Sequence, residues 1–157
     1  MNLKEVIKAD KTGVDLGQWN VGHIPRTSFP LSKVKDRRYK YGTAYSWRVI
    51  KFTCLGKKCR VLLLLNLDKG IYRARLGIED SGDMFVLCDH EFHASEPGWH
   101  CHFTLDNISS IEPGCARGGK NRRPKMEDPK ATFPVTKANA LGYAARRYGF
   151  EKSGGLV

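Results

Sequence analysis

Four of the chain's five histidines fall within thirteen residues: His90, His93, His100 and His102, in Asp89-His90-Glu91-Phe92-His93 and Trp99-His100-Cys101-His102-Phe103-Thr104. Imidazole titrates near neutrality when unperturbed and is the commonest metal ligand. The pattern Glu91-x-His93 with His100-x-His102 offers four donors, Glu91, His93, His100 and His102. Such a set suits a divalent metal, Zn, Mn or Fe(II), and leaves a position open for water or substrate. Without metal, one imidazole as base, a second as acid and an arginine on the phosphate suffice for phosphodiester cleavage. On RNA, the 2′-hydroxyl can serve as the internal nucleophile.

The elements that must position these groups are strands. Side chains alternate between the faces of a strand, and residues opposite each other in a hairpin point the same way. Trp99, Cys101 and Phe103 form one row, and His100, His102 and Thr104 the other. Met84, Val86, Cys88, His90 and Phe92 form a mostly apolar row opposed by Phe85, Leu87, Asp89, Glu91 and His93. Matching apolar to apolar fixes the register, because a one-residue slip exchanges the faces. It gathers Asp89, Glu91, His93, His100 and His102 on one face and leaves His90 on the core side. Truncating His100 or His102 is then expected to open no core cavity.

The preceding alternating segment, 70–79, carries Tyr72, Ala74, Leu76 and Ile78 on one side and Ile71, Arg73 and Arg75 on the other. Five polar residues, Glu79 to Asp83, form a hairpin link. Pairing Ile78 with Met84 sets Leu76 against Val86, Ala74 against Cys88, Tyr72 against His90 and Arg73 against Asp89. Arg73 and Arg75 thus join the histidine face as candidate phosphate ligands. The competing reading is a polar sheet face with Arg73–Asp89 as a cross-strand ion pair, which contributes little to stability.

The wider pattern is that of one α+β domain, 1–157. Residues 1–42 read as an irregular N-terminal wrap with a short helix at Leu3 to Ala9. Residues 43–105 read as a roughly five-stranded antiparallel meander, whose run Val61 to Leu65 fits a central strand buried on both faces. Residues 113–134 read as a basic flexible loop. Thr136 caps a helix over 137–148, with stripe Ala138, Leu141, Ala145 and Tyr148 and a stop at Gly149, packed on the apolar face.

A formal charge of +11 and a pI near 9.6 point to a polyanionic partner: nucleic acid or a nucleotide, or else an acidic protein. Ten basic residues against Asp36 alone lie between Lys33 and Arg60. Tyr39, Tyr41, Tyr45 and Trp47 are interleaved with them, as where bases stack beside phosphate-binding cations. Arg37, Arg38 and Lys40 from this tract, with Arg117, Lys120, Arg122 and Arg123 from the later loop, are the candidate nucleic-acid contacts. No apolar run is long enough to span a membrane. A charged N-terminus and five cysteines, an odd number, fit reduced thiols in the cytoplasm. Cys54 and Cys59 flank a turn, and Cys88 and Cys101 read as core residues.

His100-x-His102 resembles one element of the cupin metal motif, and His102-Phe103-Thr104 resembles half of the 2H phosphoesterase signature. The remaining spacing of each pattern is absent, so neither family is assigned. The expected function is a histidine-dependent phosphodiesterase or nuclease, metal-assisted or metal-free. Its rival is a non-enzymatic module that binds nucleic acid or a partner through the basic surface.

Overall fold

The computed structural model describes residues 1–25, 41–93, 96–112 and 135–153, the side chains of 96–98, 152 and 153 excepted. Arg37, Arg38 and Lys40, the loop 113–134 with Arg117, Lys120, Arg122 and Arg123, and Cys115 lie outside the described residues. Helix α1 (Leu3–Lys8) is followed by β1 (Lys11–Asp15), β2 (Asn20–Val21), β3 (Ser46–Cys54), β4 (Lys57–Asn66), β5 (Ile71–Asp80), β6 (Asp83–His93), β7 (Glu96–Phe103) and α2 (Lys137–Tyr148). The strands form one antiparallel sheet in the order β1-β3-β4-β5-β6-β7, with β2 also paired to β3. The fold is therefore α+β, a meander with a C-terminal helix on one face.

Two expectations change at the N-terminus and in α2. The segment read as an irregular wrap supplies β1 and β2, which add to the five-stranded meander by pairing with β3. Their few residues, interrupted by Gly13 and Gly17 at positive φ, are too short to show a period. In α2 the cap at Thr136 and the left-handed stop at Gly149 are as expected. The buried side chains are Ala140, Ala144, Ala145 and Tyr148, while Ala138 is exposed. Small alanines at 140 and 144 let this helix lie close to the sheet.

Strand β4 is buried on both faces. Val61, Leu63 and Leu65 join the main core under α2, with Tyr72, Ala74, Leu76, Trp99, Cys101 and Tyr148. Leu62 and Leu64 face the other way, into a smaller cluster with Ile24, Trp47 and Val49.

The β5–β6 hairpin corrects the register. Its turn is two residues, Ser81-Gly82, both at positive φ, with Asp80 opposite Asp83. Such a turn matches the natural strand twist. Ile78 pairs with Phe85 rather than Met84, and a bulge at Leu87 then shifts the pairing. Beyond it Leu76 pairs with Cys88, Ala74 with His90, Tyr72 with Phe92, Arg75 with Asp89 and Arg73 with Glu91. The turn slides the pairing by one residue and the bulge by one more, which restores the expected faces with every later partner displaced by two. It also turns Phe85 and Leu87 into the core, reversing their expected side.

Several acidic groups are buried in their neutral form. Burial, and then the neighbouring Cys54 thiol, push Cys59 up to about 12. Burial likewise raises Cys88, Tyr72 and Tyr148. The unfolded chain releases these protons at ordinary values near 9 to 10, where the fold still retains them. Stability is thus fully present below about pH 9 and lost as pH rises from there towards 12. Urea midpoints measured between pH 7 and 11 should be flat at first and then fall. Cys59→Val should remove part of the alkaline slope; a midpoint independent of pH to 11 would contradict this burial.

Candidate metal centre on the polar sheet face

Antiparallel pairing carries two side-chain rows across three strands. Arg73 pairs with Glu91 and Glu91 with His100; Arg75 pairs with Asp89 and Asp89 with His102. Directly paired residues share a face, so six of these groups converge away from α2. His93 sits at an irregularity at the end of β6, and its ring meets that of His100 edge-on at 4.7 Å. His102 meets His100 from the other end, at 5.1 Å. The structure thus brings together Arg73, Arg75, Glu91, His93, His100 and His102. Asp89, expected from the sequence as the ion-pair partner of Arg73, joins them. Thr104 lies beyond β7, where its Oγ1 accepts the Asp106 N–H.

His90 points to the core side. It stacks on Trp99 at 5.0 Å and meets Tyr72 edge-on. Burial, followed by the charge of Arg147, pulls its pKa down to about 3, so His90 is neutral at physiological pH and outside the cluster.

Glu91 is the hub. Its Oε1 accepts the Arg73 Nε–H at 3.0 Å. Its Oε2 lies 3.0 Å from His100 Nε2, and 3.7 Å from both His93 Nε2 and His102 Nε2. Donors bound to zinc at about 2.0–2.1 Å in a tetrahedral shell stand roughly 3.4 Å apart. The three distances to Oε2 bracket that separation. Glu91, His100 and His102 each offer a ligand atom within 4.8 Å of the others. His93 stands at the rim, close to the carboxylate but outside that trio.

Burial grades across the cluster. Glu91, His100 and Asp89 are buried, whereas His93, His102 and Arg73 keep partial access to solvent. His100 therefore fills space, which corrects the expectation that truncating it would leave the packing untouched. Arg75 holds Asp89 through two bonds, Nε to Oδ1 at 2.7 Å and a terminal nitrogen to Oδ2 at 3.0 Å. The expected Arg73–Asp89 contact is replaced by Arg73–Glu91 and Arg75–Asp89, the joint consequence of the two-residue turn and the Leu87 bulge. Both arginines thus commit their Nε edge to a carboxylate.

Tyr41 was read from the sequence only as one of the interleaved aromatics. Its hydroxyl is hydrogen-bonded to Arg73 and lies in the field of Arg75. Burial raises its pKa, and the two guanidinium charges act in the opposite direction. No periodicity could reveal this, because Tyr41 precedes β3. Cys54 and Cys59 are buried thiols, and the Cys88 and Cys101 thiols touch on the core side. Among the described residues, no helix is long and apolar enough to cross a membrane.

Removing one partner from a buried ion pair leaves a charge without compensation. Asp89 is fully buried, so Arg75→Ala should destabilise the fold by about 3–5 kcal/mol. Combining Arg75→Met with Asp89→Leu should recover most of that loss. Chemical denaturation of the three variants checks this; a loss below about 1 kcal/mol would mark an exposed pair. The chain matches no protein-family model, no curated protein and no solved structure.

Proposed function

We propose that the chain is a divalent-metal-dependent phosphodiesterase or nuclease, with Glu91, His100 and His102 as metal ligands and His93 as the acid–base group beside them. The observation that carries this reading is the convergence of three imidazole Nε2 atoms on one oxygen of a buried carboxylate. Charge balance supports it. Arg73 and Arg75 cancel Asp89 and Glu91, so a divalent cation among neutral imidazoles gives the face a net positive charge suited to a phosphodiester anion. The formal charge of +11 favours polyanionic substrates generally.

A bound Zn, Mn or Fe(II) would polarise a phosphoryl oxygen and acidify a water. The chain's own residues supply the rest. In hydrolysis the water oxygen bonds to phosphorus and one ester P–O bond breaks. One proton leaves the water and one reaches the departing oxygen. His93, partly exposed at the rim, is placed to carry a proton. Arg73 grips Oε1 and so turns Oε2 towards the imidazoles, a positioning role beside the phosphate contact read from the sequence. The 3.0 Å contact between His100 and Glu91 favours a second reading, in which the same groups work as a metal-free acid–base pair.

Metal analysis of the purified protein, then a nuclease panel with and without chelator, separates these readings. The metal reading expects stoichiometric Zn, Mn or Fe, and cleavage that chelator abolishes and metal restores. His102→Ala and His100→Gln should each lower bound metal and cut turnover by at least ~10²–10⁴-fold. Arg73→Ala, acting through Glu91, should weaken metal binding by about 10–100-fold. Cleavage by fully metal-free protein would favour the acid–base pair. Nucleic-acid binding without cleavage of any RNA, DNA or cyclic nucleotide would leave the non-enzymatic binding module.

A further inference from the structure

Behind the polar face, two thiols meet. Cys88 of β6 and Cys101 of β7 bring their Sγ atoms to 2.9 Å, one thiol donating to the other. Unbonded sulfurs ordinarily rest farther apart. Both residues lie in the main core, 1% and 5% exposed. The contact is diagonal, because Cys101 pairs with His90 and Cys88 with Phe103. In a flat ladder such diagonal positions stand about 7–8 Å apart. The Cα atoms of most disulfides are ~4.4–6.8 Å apart. The two sulfurs are within reach of a bond, but making it draws one strand along the other.

The strand that would move carries the site. Cys101 stands between His100 and His102, and Cys88 immediately precedes Asp89. Cys101 faces the core, while its two neighbours face Glu91. Strand β7 also ends the sheet order, with β6 as its strand partner among the described residues. Any displacement of its backbone at Cys101 therefore moves both imidazoles relative to Glu91 Oε2. A disulfide bond is ~2.05 Å long, so the sulfurs must close by roughly 0.9 Å. Functional constellations hold their geometry to within about 0.5 Å.

We propose that Cys88 and Cys101 form a reversible redox switch on the core side of the candidate metal centre: a peroxide joins the two thiols, β7 shears along β6, and the site loses metal affinity. The loss of affinity rests on the metal reading of the site, whereas the linkage of the thiols does not.

The chemistry balances with hydrogen peroxide as the oxidant. Cys101, on the edge strand, is the more accessible sulfur, and local opening of β7 admits so small a molecule. Its sulfur takes one peroxide oxygen as the O–O bond breaks, and the thiol proton leaves with the other oxygen as water. The Cys88 sulfur then displaces the hydroxyl from the Cys101 sulfenic acid. The S–S bond forms, the S–O bond breaks, and the Cys88 proton departs in a second water. Two small-molecule thiols reverse the change, forming their own disulfide and returning two protons to Cys88 and Cys101. Cys54 and Cys59 make a comparable thiol pair across β3 and β4, away from the histidines, and serve as an internal control.

The test uses the full chain, purified with its thiols reduced. Brief peroxide treatment, ended by desalting, should remove two hydrogens, and non-reducing peptide mapping should find Cys88 joined to Cys101. Cobalt(II) alone then serves as the metal probe, followed by its visible absorption. Oxidised protein should bind it about 10–100-fold more weakly than reduced protein, and a thiol reductant should restore binding. Cys88→Ala, or Cys88→Val where alanine leaves the fold unstable, should bind cobalt like reduced wild type before and after peroxide. Cys54→Ala should keep the full response. Cys88 and Cys101 left unlinked by peroxide would overturn the proposal, as would a linked protein with unchanged cobalt affinity. Reduced protein that binds no cobalt would count against the metal reading alone. The shear is then followed in the ring ¹H–¹⁵N resonances of His100 and His102, which should shift on oxidation. Linked protein whose ring resonances stay in place would overturn the switch.

Discussion

A carboxylate buried as deeply as Glu91 stays charged only if partners replace the water it has lost. Arg73 meets one oxygen and three imidazoles gather at the other. This arrangement constrains much of what surrounds it. It requires β5, β6 and β7 to be adjacent and in one register, because each strand contributes one member of the row. A second, parallel row lies beside it and carries its own internally balanced pair, Arg75–Asp89. The same low-polarity setting strengthens every interaction at Oε2.

The faces were legible in the sequence because strand periodicity is independent of loop detail. Arg73, Arg75, Glu91, His100 and His102 alternate with apolar residues whose burial in the main core is unambiguous, and His90 follows Cys88 inward. The partners were harder to read. A shift of two residues preserves every face, so apolar matching cannot distinguish Arg73–Asp89 from Arg73–Glu91. What decides is the pair of positive-φ residues Ser81-Gly82 and the extra residue Leu87. A bulge inside a continuous apolar stretch, Met84 to Cys88, leaves no mark on the hydrophobic pattern. The rotation of α2 was hidden for a similar reason, since alanines at 138, 140, 144 and 145 fit several stripes equally well.

Long-range approaches left still less trace. Tyr41 reaches Arg73 from outside any strand, and Asp15 to Pro25 runs along the edge of β3 beside Trp47 without a periodic signal. Gly17 is the one local clue, a residue without Cβ where the chain crosses the Val49 carbonyl. From the sequence alone, a glycine in a polar segment reads as an ordinary turn. Net charge carries no position by itself, and many of the basic residues lie outside the described ones.

The reverse face explains how such a site can be held to geometry finer than a surface ion pair. Tyr148, fully buried at the end of α2, donates its hydroxyl to the Ala74 carbonyl at 2.5 Å and lies 3.5 Å from the Cys88 carbonyl. Ala74 is the residue between Arg73 and Arg75, and Cys88 immediately precedes Asp89. The helix is thus anchored at the backbone positions from which both arginine–carboxylate pairs spring. Trp99 and Cys101 pack into the same core beside His100 and His102. Side chains on the polar face are then fixed from behind, by a core that excludes water, instead of by their mutual attraction alone. On the proposed metal reading, that arrangement would orient the donors before a cation arrives, so that little ordering would remain to oppose binding.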